Sequence, residues 1–62
     1  MAQMRLNKII ADSGVTSRRG ADELIESGRV SVDGLVIREL GSKFDPDLIQ
    51  VMVDGETITR SL

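Results

Sequence analysis

The side chains with the most to offer chemically are two adjacent arginines. Arg18 and Arg19 directly follow Thr16-Ser17, hydroxyl residues of the kind that caps a helix start. The helix dipole is positive there, so a cation costs stability instead of adding it, and something else must favour the pair. Two guanidinium groups beside the unpaired N–H groups of a first helical turn form a site for phosphate oxygens, such as those of an RNA backbone. The alternative is that Arg18 pairs with Asp22 and Arg19 with Glu23, each four residues on. Base before acid is the poorer order for such pairs, which contribute roughly a few tenths of a kcal/mol each.

Other cations offer weaker cues. Arg5 and Lys8 share a stripe with Asp12, with Asn7 nearer its edge, so the two cations project together toward solvent. Arg29 follows the end of the second helix, where a cation is favourable by itself. Lys43 lies in the loose Gly41-Ser42-Lys43 segment and is either a contact or plain solvent-facing charge, while Arg38 and Arg60 carry no spacing information.

Catalysis has little to work with. The 62 residues contain no histidine and no cysteine, which removes disulfides, Cys/His zinc sites, Cys or Ser/His nucleophiles and a histidine pH switch. There is no Gly-rich phosphate loop, no dinucleotide fingerprint, no metal-ligand cluster and no nucleophile elbow. Asp22, Glu23 and Glu26 read as a solvated helix face. No catalytic residue, metal site or cofactor is expected. The single aromatic, Phe44, reads as core, which argues against recognition by stacking bases on aromatic rows and for recognition of backbone and shape.

The elements that must position these residues follow from periodicity. Leu6, Ile9, Ile10 and Ser13 recur with helical spacing, giving a short amphipathic helix over 5–13. Gly14 is placed as its left-handed terminator, with Val15 folding back onto Ile10. Ala21, Leu24, Ile25 and Gly28 repeat the spacing in a second helix, capped by Thr16 or Ser17 and stopped at Gly28. The period then changes to two: Val30 and Val32 lead into Asp33-Gly34 and Leu35-Val36-Ile37, a hairpin signal. After a looser stretch from Gly41 to Asp47 with a turn at Pro46, Ile49, Val51 and Val53 alternate up to Asp54-Gly55, and Thr57-Ile58 returns. The fold expected is α+β, a two-helix hairpin packed on a small antiparallel sheet. One domain fills residues 1–62.

Composition is consistent with this. Apolar residues make up 40% and charged residues 29%, ordinary for a folded domain. A chain this short buries only roughly 60% of its unfolded surface, so a deep pocket is not expected. No apolar run has the length of a membrane span, and the first residues lack the apolar core of a signal peptide, so the chain reads as cytoplasmic. The net charge is −2, with five basic and four acidic residues in 1–31 against three and six in 32–62. Affinity for nucleic acid must therefore come from a local patch.

Arg5-Leu6-Asn7-Lys8, Gly14-Val15-Thr16-Ser17-Arg18-Arg19, Ala21-Asp22, Leu24-Ile25, Gly28-Arg29-Val30, Val32 and Asp33-Gly34 together resemble the S-four RNA-binding domain. The resemblance covers residues 4 to about 58 and is strongest to the N-terminal domain of bacterial ribosomal RNA pseudouridine synthases. It implies RNA held against the helical hairpin and the loop that follows. It also implies RNA contacts at Arg5, Asn7, Lys8, Ser17, Arg18, Arg19, Arg29 and Lys43. Three departures stand out: Asn7 where many members have Asp, Asp33 where many have Asn, and Gly20 inside a helix, which costs about 1 kcal/mol relative to Ala. Asp33 weakens any contact between the hairpin turn and phosphate.

The synthases carry their catalytic aspartate in a separate domain within a Gly-Arg-Leu-Asp motif, which this sequence lacks. The resemblance thus implies a piece of a larger enzyme, covalently linked to a catalytic domain and partnered by structured ribosomal RNA. Two rivals remain: a stand-alone ribosome-associated RNA-binding protein, and a protein-interaction domain using its acidic second half with no affinity for RNA.

Overall fold

The computed structural model describes residues 3–58. Its elements, in chain order, are β1 (Met4–Arg5), α1 (Leu6–Asp12), α2 (Arg18–Glu26), β2 (Val30–Val32), β3 (Leu35–Val36), β4 (Lys43–Phe44), β5 (Val51–Val53) and β6 (Glu56–Thr57). The two helices pack on each other and on a four-stranded antiparallel sheet of order β3-β2-β5-β6. A separate two-residue ladder joins β1 to β4.

The core is the apolar period made solid. Leu6, Ile9 and Ile10 of α1, Ala21 and Ile25 of α2, and Val30, Val32, Val51 and Val53 of the sheet are buried together. Strand alternation aims the four valines at the helices, and Ser31 and Met52, which face each other in the ladder, lie on the opposite side. Fully burying a Val or Ile side chain contributes about 1.5–3 kcal/mol, so these nine positions provide most of what opposes chain entropy in so small a domain. Phe44 packs against the same cluster half-buried, as the sequence leads one to expect of a core aromatic.

Local signals set the boundaries. Gly14 and Gly28 both adopt positive φ just past a helix end. At α2 the closure is complete: Gly28 N–H donates to the Ile25 carbonyl and Arg29 N–H to the Leu24 carbonyl, so two orphan acceptors of the last turn are satisfied. Val15 stays half-exposed after Gly14. Asp33 and Gly34 have φ of 50° and 86°, and Asp54 and Gly55 of 52° and 84°. Positive φ at both central residues is the type I′ geometry that matches the twist of a two-residue hairpin.

The structure corrects two expectations. The first helix spans Leu6–Asp12, not 5–13; Arg5 is extended and belongs to β1, and Ser13 is exposed. The stretch 41–47 is not all loop, because Lys43–Phe44 forms β4. Two residues are too few for alternation to register in a sequence. The expected turn at Pro46 is present: Leu48 N–H donates to the Asp45 carbonyl and Asp47 N–H to Asp45 Oδ1.

Candidate nucleic-acid interface

Arg18 and Arg19 occupy the first two positions of α2. Ser17 is the cap: its Oγ accepts from the Gly20 N–H at 3.1 Å, and its O–H still has a proton to donate. Both arginines are exposed, and neither forms an ion pair or side-chain hydrogen bond among the described residues. The pairings Arg18–Asp22 and Arg19–Glu23 do not form. Asp22 is half-buried and one carboxylate oxygen, Oδ1, is buried without a hydrogen-bond partner, so this acid is drawn away from the solvent where Arg18 lies.

Gly20, anomalous by propensity, is explained by packing against the residue before the cap. A Cβ there would stand 2.0 Å from Thr16 Oγ1 and 3.2 Å from Thr16 Cβ. The chain enters α2 so closely over its first turn that a side chain at this position would displace Thr16.

The basic residues of the other helix are divided by the structure. Lys8 reaches forward one turn to Asp12, with Nζ 3.0 Å from Oδ2, and Asn7 is half-buried beside it. Arg5 instead stands in β1 directly opposite Lys43 of β4. Sequence spacing gave no reason to join these two, which are separated by the whole helical hairpin and the β2–β3 hairpin. The backbone shows why they meet: α1 has no side-chain cap at Arg5, and the Leu6 N–H at its start donates to the Ser42 carbonyl at 3.0 Å. That bond fastens the segment bearing Lys43 to the entrance of α1.

Arg29 is held by Asp54 through two hydrogen bonds, Nε to Oδ1 at 2.7 Å and Nη2 to Oδ2 at 2.6 Å. Val30 and Val53 are ladder partners, so Arg29 and Asp54 are the next pair along, and Asp54 N–H also donates to the Arg29 carbonyl. These hydrogen bonds hold the Asp54 carboxyl below its ordinary range and the Arg29 guanidinium above its own. Arg29 therefore enters any encounter with phosphate already neutralised. Asp33 is likewise engaged, its Oδ1 accepting from the Gln50 N–H at 2.9 Å.

Arg38, to which spacing assigned nothing, lies with its guanidinium over Gly28, where a Cβ would come within 2.8 Å of Nη2. This places a cation at the negative end of α2, a structural use. Arg60 lies outside the described residues. A cleft of about 300 Å³ between α1 and the Pro46 turn is lined by Met4, Ile9, Asp12 and Asp47 among others, but its charged lining is acidic and unsuited to phosphate. No group of three or more carboxylates among the described residues converges as a metal site would require. No helix among them is long and apolar enough to cross a membrane.

Apart from Arg38, which lies over the end of α2, the described residues leave four exposed cations without counter-charge: Arg18 and Arg19 at the start of α2, and Arg5 and Lys43 across the small ladder. Such an arrangement can hold phosphates.

Comparison with known proteins places the chain in a family. An uncharacterised RNA pseudouridine synthase of Mycobacterium leprae is 54% identical over 84% of this chain and 20% of its own length. One of Aquifex aeolicus is 47% identical over 94% of this chain and 23% of its own. Ribosomal large subunit pseudouridine synthase B of Bacillus subtilis is 48% identical over 90% and 22%. The chain thus spans about a fifth of the length of these curated relatives. A crystal structure of a pseudouridylate synthase superposes with a TM-score of 0.81 over 94% of this chain and 25% of that one, at 21% identity, and shows the same fold. These relatives, together with a match of the S4 domain to residues 4–49, support an RNA-binding module, and the chain belongs to the S4 domain family.

Proposed function

We propose that this domain binds structured ribosomal RNA through its phosphate backbone and, as part of a longer cytoplasmic protein, places a covalently linked pseudouridine synthase domain on its target. The observation that carries the reading is the pairing pattern of the basic residues. Among the described residues Lys8 and Arg29 have acidic partners and Arg38 lies over the end of α2, whereas Arg5, Arg18, Arg19 and Lys43 are left exposed and uncompensated in a chain of net charge −2. Cations set side by side without acidic partners repel one another, and phosphate is the ligand that such pairs suit.

The domain supplies affinity and orientation. Phosphate contacts fix register on a folded RNA without reading bases, and the half-buried Phe44 leaves no aromatic platform for unstacked bases. Base chemistry belongs to the linked domain. Asn7 and Ser17 add polar contacts beside the cations, and Arg29 acts mainly through Asp54. In this reading Ser17 contributes its free hydroxyl proton while its oxygen continues to cap α2.

The test is fluorescence-anisotropy binding of the chain to a ribosomal RNA hairpin and to an unstructured pyrimidine strand of equal length. Salt-weakened binding that prefers the hairpin is expected. Equal binding to both would remove structured RNA as the target, and no binding at low salt would favour a protein-interaction role for the acidic half.

A further inference from the structure

The β1–β4 ladder joins strands that no hairpin turn connects, and it carries an electrostatic fault. It has two rungs, Met4 with Phe44 and Arg5 with Lys43. Because Leu6 N–H bonds to the Ser42 carbonyl, Leu6–Ser42 is a hydrogen-bonded position, and Arg5–Lys43, next to it, is a non-hydrogen-bonded one. At such positions the Cα atoms approach to about 4.5 Å and the two side chains share a face. Like charges placed so are destabilising. Neither residue has an acidic partner among the described residues.

We propose that one backbone phosphate of bound RNA bridges Arg5 and Lys43 and serves as the missing counter-charge of this ladder, so that RNA binding tightens the pairing of β1 with β4. The inference rests on the RNA-binding reading and adds to it a conformational consequence. A single anion between the two cations replaces one repulsion with two attractions. The gain is transmitted to the backbone through the Leu6–Ser42 hydrogen bond, which closes only when β4 lies against the entrance of α1. Binding and ladder closure are then reciprocal: whatever favours one favours the other.

Reciprocity gives a test with opposed signs. Lys43→Glu supplies the counter-charge internally, so it must secure the ladder without RNA while destroying the phosphate site. The measurement is amide hydrogen exchange by NMR at Leu6, with the Asp33 amide, bonded to the Gln50 carbonyl far from the ladder, as reference. A ribosomal RNA hairpin is expected to slow exchange at Leu6 roughly 1.5- to fivefold in the wild type and not at Asp33. Lys43→Glu is expected to slow it by a similar factor without RNA, to bind RNA more weakly, and to show no further protection on adding it. Salt-sensitive RNA binding that leaves Leu6 exchange unchanged overturns the bridge while the RNA-binding reading stands. Unaltered Leu6 exchange in folded Lys43→Glu also overturns it. Absence of RNA binding by the wild type removes both.

Discussion

Replacing Arg18 and Arg19 by glutamine removes two phosphate ligands without adding negative charge, and its effect on salt dependence can be worked out in advance. With Arg38 set against the end of α2, four of the described cations are exposed and without an acidic partner, and each phosphate contact contributes about 0.7 to 0.9 to the slope of log affinity against log salt. The wild type should therefore show a slope of about −2.8 to −3.6, which between 50 and 200 mM salt is a loss of roughly 50- to 150-fold. Arg18→Gln/Arg19→Gln leaves two contacts, a slope of about −1.4 to −1.8 and a loss of roughly 7- to 12-fold. The assay is anisotropy with a ribosomal RNA hairpin over that salt range, with circular dichroism to verify the fold. Folding should be intact, because neither arginine has a partner to lose and removing cations from a helix start relieves the dipole. A double variant that keeps the wild-type slope would falsify the placement of phosphates at the start of α2.

Three further outcomes are expected. Asp54→Asn should flatten the acid dependence of stability: the Arg29 hydrogen bonds lower the Asp54 pKa, so the pair's contribution is complete above the unfolded value of about 3.9 and is lost as pH falls through the lower folded value. Urea midpoints at pH 7 and in acid measure this, and an identical acid loss in wild type and variant would count against it. Gly28→Ala should destabilise by about 1–2 kcal/mol from its left-handed backbone alone, with further loss from contact with Arg38, read as a lowered denaturation midpoint. Gly20→Ala should gain little from helix propensity in the wild type, because Thr16 Oγ1 stands in the way, and should gain more in a Thr16→Ala background; equal effects in the two backgrounds, compared by thermal melts, would remove the packing explanation for this glycine.

The readable parts of this fold were those with a period or a special backbone angle. Ile9, Ile10, Ala21 and Ile25 announced two helices by spacing, and both Asp-Gly pairs announced hairpins because type I′ turns require positive φ twice. The start of α2 was legible in chemical terms, since Ser17 caps and Arg18-Arg19 oppose the dipole. The β1–β4 ladder was not: two residues carry no alternation, and the contact between Arg5 and Lys43 is made by the route of the whole intervening chain. Arg29 illustrates a different limit. Its position after α2 was clear, but its neutralisation by Asp54 depends on the β2–β5 register, which no local spacing encodes. Thr16 and Gly20 are near enough in sequence for their contact to be suspected, yet the need for glycine arises from how closely the incoming chain crosses the first turn.

The two hairpin turns also bear on how the protein ages. Among aspartates, one followed by glycine is the most exposed to succinimide closure, in which the next backbone nitrogen attacks the side-chain carboxyl with loss of water, and hydrolysis of the ring at the backbone carbonyl leaves an isoaspartyl linkage. Here both vulnerable carboxylates are occupied: Asp33 accepts from the Gln50 N–H and Asp54 is clasped by the Arg29 guanidinium, which also keeps it ionised and a poor electrophile. An inserted methylene would lengthen a two-residue turn that fixes strand register. The bonds that set the sheet therefore also protect its corners from chemical wear, and Arg29→Gln should accumulate isoaspartate at Asp54 faster than the wild type when stored protein is mapped by peptide mass analysis.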